Sequence, residues 1–152
     1  MAEDQKEEAP WWASFPAPKA KCDDIAADEV FKLLQVQASG TQRDFLLVDV
    51  RRTDWEGGTI STSINLPAHS LYPTRAAIYQ LVKQAGVSRV IFYCGSCNGR
   101  GPRAAAWLQD YFDDVGEKNI RALVLTGGIK GWVRSYGGEL MDAYDETHWA
   151  GK

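Results

Sequence analysis

A chain of 152 residues, 45% hydrophobic and 24% charged, holds enough apolar material for one buried core and too little for two. No apolar run approaches the length that crosses a bilayer, so a soluble protein with no membrane partner is expected. The net charge of -3, with no basic stripe along any segment, argues against a nucleic-acid partner and leaves only local sites for an anion.

In chain order, residues 1–21 carry charge, alanine and three prolines (Pro10, Pro16, Pro18) without helical or strand periodicity, so they read as an arm ahead of a single domain over 22–152. The acidic start MAEDQKEEAP has no basic region followed by an apolar stretch and is not an Arg-rich transit peptide, which predicts a cytoplasmic or nuclear location. Trp11 and Trp12 are unusual in such an arm; the expectation is that it lies along the body and covers apolar surface, with partner binding as the alternative.

From Ala26, Val30, Phe31, Leu33 and Leu34 recur at helical spacing, with Gly40 beyond the end as a stop. The run from Phe45 to Val50 is short, apolar and β-rich, as a buried parallel strand would be. A loop from Arg51 to Pro67 holds Gly57, Gly58 and a short strand over Ile64 to Leu66, and a helix follows from about Pro73 to Lys83. Arg89 to Tyr93 is a second buried strand that runs directly into CGSCNGRGPR and then a helix. Pro102 suits that helix's first turn, where its missing N–H has no partner to lose, and Gly116 marks its end. Leu123 to Leu125 make another strand, Gly127 and Gly128 a turn, and Ile129 to Tyr136 a last helix. Strands alternating with helices predict an α/β fold in three layers, a central mainly parallel sheet flanked by helices.

Three cysteines, Cys22, Cys94 and Cys97, are too few and odd in number for a disulfide framework, which directs attention to reactive thiols. In such a sheet the ligand crevice lies beyond the carboxyl ends of the strands, where Cys94 sits. Gly95, Ser96, Cys97, Asn98 and Gly99 form the following loop, whose small residues let successive amides converge on one spot above the helix N-terminus. Such a nest favours a thiolate and holds the oxygens of a bound oxyanion. Arg100 adds a planar fork of donors able to grip two equatorial oxygens. Taken singly, Cys94 reads as a small buried hydrophobe and Arg100 as a solvated cation; the conjunction of strand, Cys, Gly-rich loop, Arg and helix is what points to catalysis.

The segment from Tyr93 to Arg103 resembles the Cys, five residues, Arg signature of cysteine phosphatases, and its Arg-Gly-Pro resembles the M-phase-inducer phosphatases and eukaryotic arsenate reductases of the rhodanese-like superfamily. Leu46 to Pro67 is similar to that superfamily's Asp-x-Arg and Glu-Gly-Gly-His-Ile region, and Leu123 to Trp132 to its Gly-Gly-x-x-x-Trp turn. The resemblance implies a rhodanese-like fold, Cys94 as nucleophile, Arg100 as oxyanion ligand, and Asp49 and Arg51 as structural support. Rhodanese sulfurtransferases carry a loop one residue shorter, so phosphate or arsenate ranks above thiosulfate. Tyr93 stands where the phosphatases have His, and Thr59 where the superfamily has His. Gly95 to Gly99 contain no carboxylate, which leaves the general acid unassigned and tilts the balance towards arsenate, whose leaving group is water or hydroxide.

Cys97, three residues after Cys94, is expected either as a resolving thiol or as a residue that merely fills the loop. No metal and no bound cofactor is expected; an arsenate reductase would need an external thiol such as glutathione or glutaredoxin. The leading expectation is therefore a phosphatase or arsenate reductase acting on phosphate, arsenate or a phosphoprotein through a covalent intermediate on Cys94. Sulfur transfer through a Cys94 persulfide and an inactive rhodanese-like adaptor are the alternatives, and the oligomeric state is left open.

Overall fold

Three five-residue strands, each apolar on both sides, build the centre of the molecule: β2 (Phe45–Asp49), β5 (Arg89–Tyr93) and β6 (Arg121–Leu125). The structure is a computed structural model that describes residues 9–38, 43–96 and 99–151. With β1 (Asp24–Ile25) and β4 (Ile64–Asn65) at the edges they form a parallel sheet in the order β1-β6-β5-β2-β4. Strands buried on both faces cannot alternate apolar with polar, which is why β2 and β5 read as continuous apolar runs.

Alternate side chains feed two cores. Val48, Val90, Phe92, Val124 and Cys94 pack with α2 (Ala68–Leu71), α3 (Arg75–Gln84) and α4 (Arg100–Asp114). Phe45, Leu47, Ile91, Tyr93 and Leu125 pack with α1 (Ala27–Ala38) and α5 (Gly128–Tyr136). Helices thus cover both faces, the expected three layers. A second, two-stranded antiparallel sheet joins β3 (Thr59–Ile60) to β7 (Met141–Asp142), and α6 (Glu146–Trp149) follows, its Asp145 side chain accepting from Thr147 N–H.

Several boundaries differ from the sequence reading. The helix expected from Pro73 begins at Arg75, because Tyr72–Thr74 form a 3-10 turn that joins it to α2. The expected strand over Ile64 to Leu66 spans Ile64–Asn65, and that over Leu123 to Leu125 begins at Arg121. Strands β1, β3 and β7 and helix α6 were not expected at all. The helix stop assigned to Gly40 lies outside the described residues.

The described part of the arm, residues 9–21, packs on the body. Trp107 Nε1–H donates to Pro16 O (2.9 Å), and the amides of Lys19 and Ala20 donate to the Asp110 carboxylate (2.8 and 2.9 Å). Phe15 lies against Tyr72 and Trp107, and Trp11 against Trp107. Trp11 and Phe15 thereby lie against Trp107 of α4, and Trp12 against its Arg103.

Candidate active site

Strand β5 ends at Tyr93, and the chain turns at Cys94 into the loop that leads to α4. The backbone N–H of Gly101, in the first turn of α4, donates to Cys94 Sγ at 3.4 Å. The helix end therefore presents partial positive charge to the sulfur. Cys94 is only 3% exposed, yet it lines a cavity of about 250 Å³ with Gly95, Ser96, Gly99, Arg100, Arg103, Lys130, Asp54, Trp11 and Trp12. A wider hollow of about 470 Å³ adjoins it and shares Asp54, Gly95 and Lys130. Gly95 is buried, and Ser96 and Gly99 are exposed at the rim. Cys97 and Asn98, expected in the anion-binding loop, lie outside the described residues, and with them the expected resolving thiol.

The loop is held from the far side by α5. Ile129 N–H donates to Cys94 O and Lys130 N–H to Gly95 O, both at 3.0 Å. This approach depends on Gly128: at its φ of +60° a Cβ would stand 2.6 Å from the carbonyl oxygens of both Cys94 and Gly95. Only glycine lets the Gly-Gly turn bring a helix N-terminus that close.

Beneath the loop lies a buried polar network. Arg51 and Asp49 form an ion pair, at 2% and 0% exposure, with Arg51 Nε and Nη2 on the two carboxylate oxygens (3.0 and 2.7 Å). The remaining Arg51 donors reach Glu56 O and Gly58 O at 3.0 and 2.7 Å, and Asp49 also accepts from Thr59 Oγ1 at 2.8 Å. A buried pair is tolerable when each guanidinium nitrogen and each carboxylate oxygen is met in this way. These bonds tie Asp49 and Arg51 to the chain between β2 and β3, and neither residue lines the cavity that holds Cys94.

Tyr93 extends that network. Its hydroxyl lies 2.6 Å from Thr59 Oγ1 and 2.7 Å from Ser63 Oγ, and accepts from Ile60 N–H at 3.1 Å. Burial, with the nearby Asp49 charge, pushes the phenol up, so it stays a neutral hydroxyl. The two departures from the resemblance, Tyr93 and Thr59, thus form one contact: the larger phenol meets a short hydroxyl side chain and ties β5 to β3.

Arg100 is answered by a residue that the sequence did not single out. Its Nη1 and Nη2 donate to the two carboxylate oxygens of Asp54 at 2.7 and 2.6 Å. The bond to Arg100 holds the Asp54 carboxyl well below the ordinary range despite partial desolvation, and the same bond raises Arg100. A carboxylate thus sits on the fork that two oxyanion oxygens would take. The loop from Gly95 to Gly99 carries no signal for Asp54, which comes from the loop after β2, 46 residues from Arg100 along the chain.

Lys130 at the start of α5 and Arg103 on α4 bring further cations to the cavity. Cys22 is a different kind of thiol: burial, reinforced by Asp110, Asp113 and Asp23, pushes it up to about 12. Among the described residues, no group of three or more His, Cys, Asp or Glu is placed to hold a metal ion, and no helix is long and apolar enough to cross a membrane.

Among known proteins, the rhodanese-like domain family matches residues 31–135. Arsenical-resistance protein 2 of Saccharomyces cerevisiae is 30% identical over 102 residues, covering 60% of this chain and 75% of its own. The CDC25-like phosphatase YCH1 of the same yeast is 33% identical over 118 residues, covering 72% and 80%. A solved yeast protein tyrosine phosphatase of the rhodanese family superposes with a TM-score of 0.72 at 25% identity, covering 86% of this chain and 99% of that one. The As-Sb reductase from Leishmania major shares the fold, with a TM-score of 0.71 at 23% identity over 79% and 84% of the two chains.

Proposed function

The chain belongs to the rhodanese-like domain family, and on that premise we propose that it is a cysteine-based phosphatase or arsenate reductase. The observation that carries this reading is one cavity that joins Cys94 to the forked guanidinium of Arg100. A donated amide at the sulfur and a planar cation beside it are what attack on a tetrahedral oxyanion requires.

With a phosphate ester, the Cys94 thiolate attacks phosphorus, the S–P bond forms, and the ester P–O bond breaks with its electron pair on the leaving oxygen. Arg100 takes two equatorial oxygens as their charge grows. An arriving dianion displaces Asp54 from Arg100; freed from its cation and set beside negative charge, that carboxyl rises towards the range in which it takes a proton from water and passes it to the leaving oxygen. Water then attacks phosphorus, the S–P pair returns to sulfur, and inorganic phosphate leaves. Asp49 and Arg51 act by fixing the β2 to β3 segment from which Asp54 projects.

With arsenate, an S–As bond forms as water leaves. An external thiolate such as glutathione then attacks Cys94 Sγ, the S–As pair passes to arsenic, arsenite departs, and a mixed disulfide remains. A second thiol, or glutaredoxin, reduces that disulfide. Cys97 is the alternative attacking thiol.

The test is a panel run on the wild type and Cys94→Ser: an aryl phosphate, arsenate with glutathione and glutaredoxin, and thiosulfate with cyanide. Turnover of the first or second by the wild type alone supports the proposal. Activity confined to thiosulfate makes the chain a sulfurtransferase, and inactivity on all three makes it an adaptor.

A further inference from the structure

The arm does more than lie against α4. Trp11 and Trp12, outside the family-matched residues 31–135, line the cavity that contains Cys94 and Arg100. They are held there. Trp11 stacks on His69 with ring centres 4.1 Å apart and meets Trp107 edge-on, and Trp12 stands at right angles to it at 5.5 Å. The Arg103 guanidinium lies 4.0 Å over the Trp12 ring, leaving Trp12 38% exposed. The hydrogen bonds to Pro16 O and from Lys19 and Ala20 fasten the chain just beyond the two rings.

Size decides what this wall is for. The cavity, of about 250 Å³, extends well beyond the single water-sized position at Cys94 and Arg100, on to Trp11, Trp12 and Arg103. That further end is bounded by indole and by a stacked guanidinium, surfaces that favour flat, polarisable groups. The occupant that meets both ends is one molecule with an oxyanion at Cys94 and a planar ring beside Trp12.

We infer that the Trp11–Trp12 arm is a specificity wall, with Trp12 the selecting residue, which makes an oxyanion bearing an aromatic group the preferred ligand over an inorganic or alkyl one. This rests on the oxyanion reading above and adds to it a subsite built by the arm. No bond changes at the wall; its contribution is binding alone.

The experiment uses the full chain with Cys94→Ser, so that nothing turns over, and calorimetric Kd values for phenylphosphonate, methylphosphonate and inorganic phosphate. Phenylphosphonate is expected to bind about tenfold more tightly than methylphosphonate. Trp12→Ala and Trp12→Leu are each expected to bring that ratio below about threefold, and because it is taken within one protein it is independent of changes in the loop. Equal affinity for the two phosphonates with Trp12 in place overturns the inference, as does a tenfold preference that survives both substitutions. If phosphate and both phosphonates fail to bind, the oxyanion reading itself falls and the wall with it.

Discussion

Gly128→Ala tests whether the loop is held where the chemistry needs it. The added Cβ would lie 2.6 Å from the carbonyl oxygens of Cys94 and Gly95, both backbone atoms with no side-chain freedom to yield. Holding alanine at a φ of +60° costs about 1–2 kcal/mol by itself. Relieving the contact separates α5 from the loop and breaks the bonds from Ile129 and Lys130 N–H, at about 0.5–1.5 kcal/mol each. The sum is about 3 kcal/mol, or a Tm lower by roughly 6–12 °C for a domain of this size. Gly127→Ala is the control. Its φ of +82° carries similar strain, but the nearest atom to its Cβ, Gly131 Cα, is 3.4 Å away. It is expected to lose only about 1–2 kcal/mol. Urea titration gives the stabilities, and kcat/KM on an aryl phosphate reads the loop: a shift of several tenths of an ångström at the nucleophile is expected to cost Gly128→Ala about tenfold or more. Equal losses of stability for the two variants, or Gly128→Ala activity within twofold of wild type, would refute the reasoning.

Tyr93→Phe removes a hydroxyl that meets three partners and leaves the buried Ile60 N–H without its acceptor; a loss of about 2 kcal/mol is expected by urea denaturation. Asp54→Asn frees Arg100 from a competing carboxylate, so inorganic phosphate should bind about tenfold more tightly by calorimetry while kcat falls most on esters with poor leaving groups. Weaker phosphate binding would instead make Asp54 an anchor for Arg100. Glu117 accepts from Asn119 N–H first, then from Tyr79 Oη and Lys83 Nζ, and these bonds lower its pKa from 4.5 to about 2. Because the folded value is the depressed one, its contribution is present above about pH 4.5 and is lost as pH falls towards 2. The stability gap between wild type and Glu117→Gln should therefore shrink across that window; a constant gap would show that the carboxylate's ionisation is not what matters.

Long local patterns were legible. β2 and β5 announce themselves as apolar runs bounded by turn residues, and α4 by Pro102 at its start, because each is settled within a dozen neighbouring residues. Strands β1, β3 and β7 were not, since two residues carry no period and their extended form is imposed by the strand beside them. The Pro73 boundary failed for a related reason: a proline that opens a helix also fits a 3-10 turn, and packing beneath α4 chose the latter.

The candidate site divides along the same line. That Cys94 follows a buried strand and that Arg100 opens the next helix is contiguous chain, so the sequence by itself determined where the proposed nucleophile and its cation fall and in which order. What faces them was decided by the tertiary structure alone. Asp54 reaches Arg100 across 46 residues, Lys130 arrives because Gly128 admits α5 to the loop, and Trp12 arrives because Pro16, Lys19 and Ala20 are bound to α4. Such pairings depend on how separate elements stack, and the spacing of residues along a chain does not encode the distance between two of its surfaces.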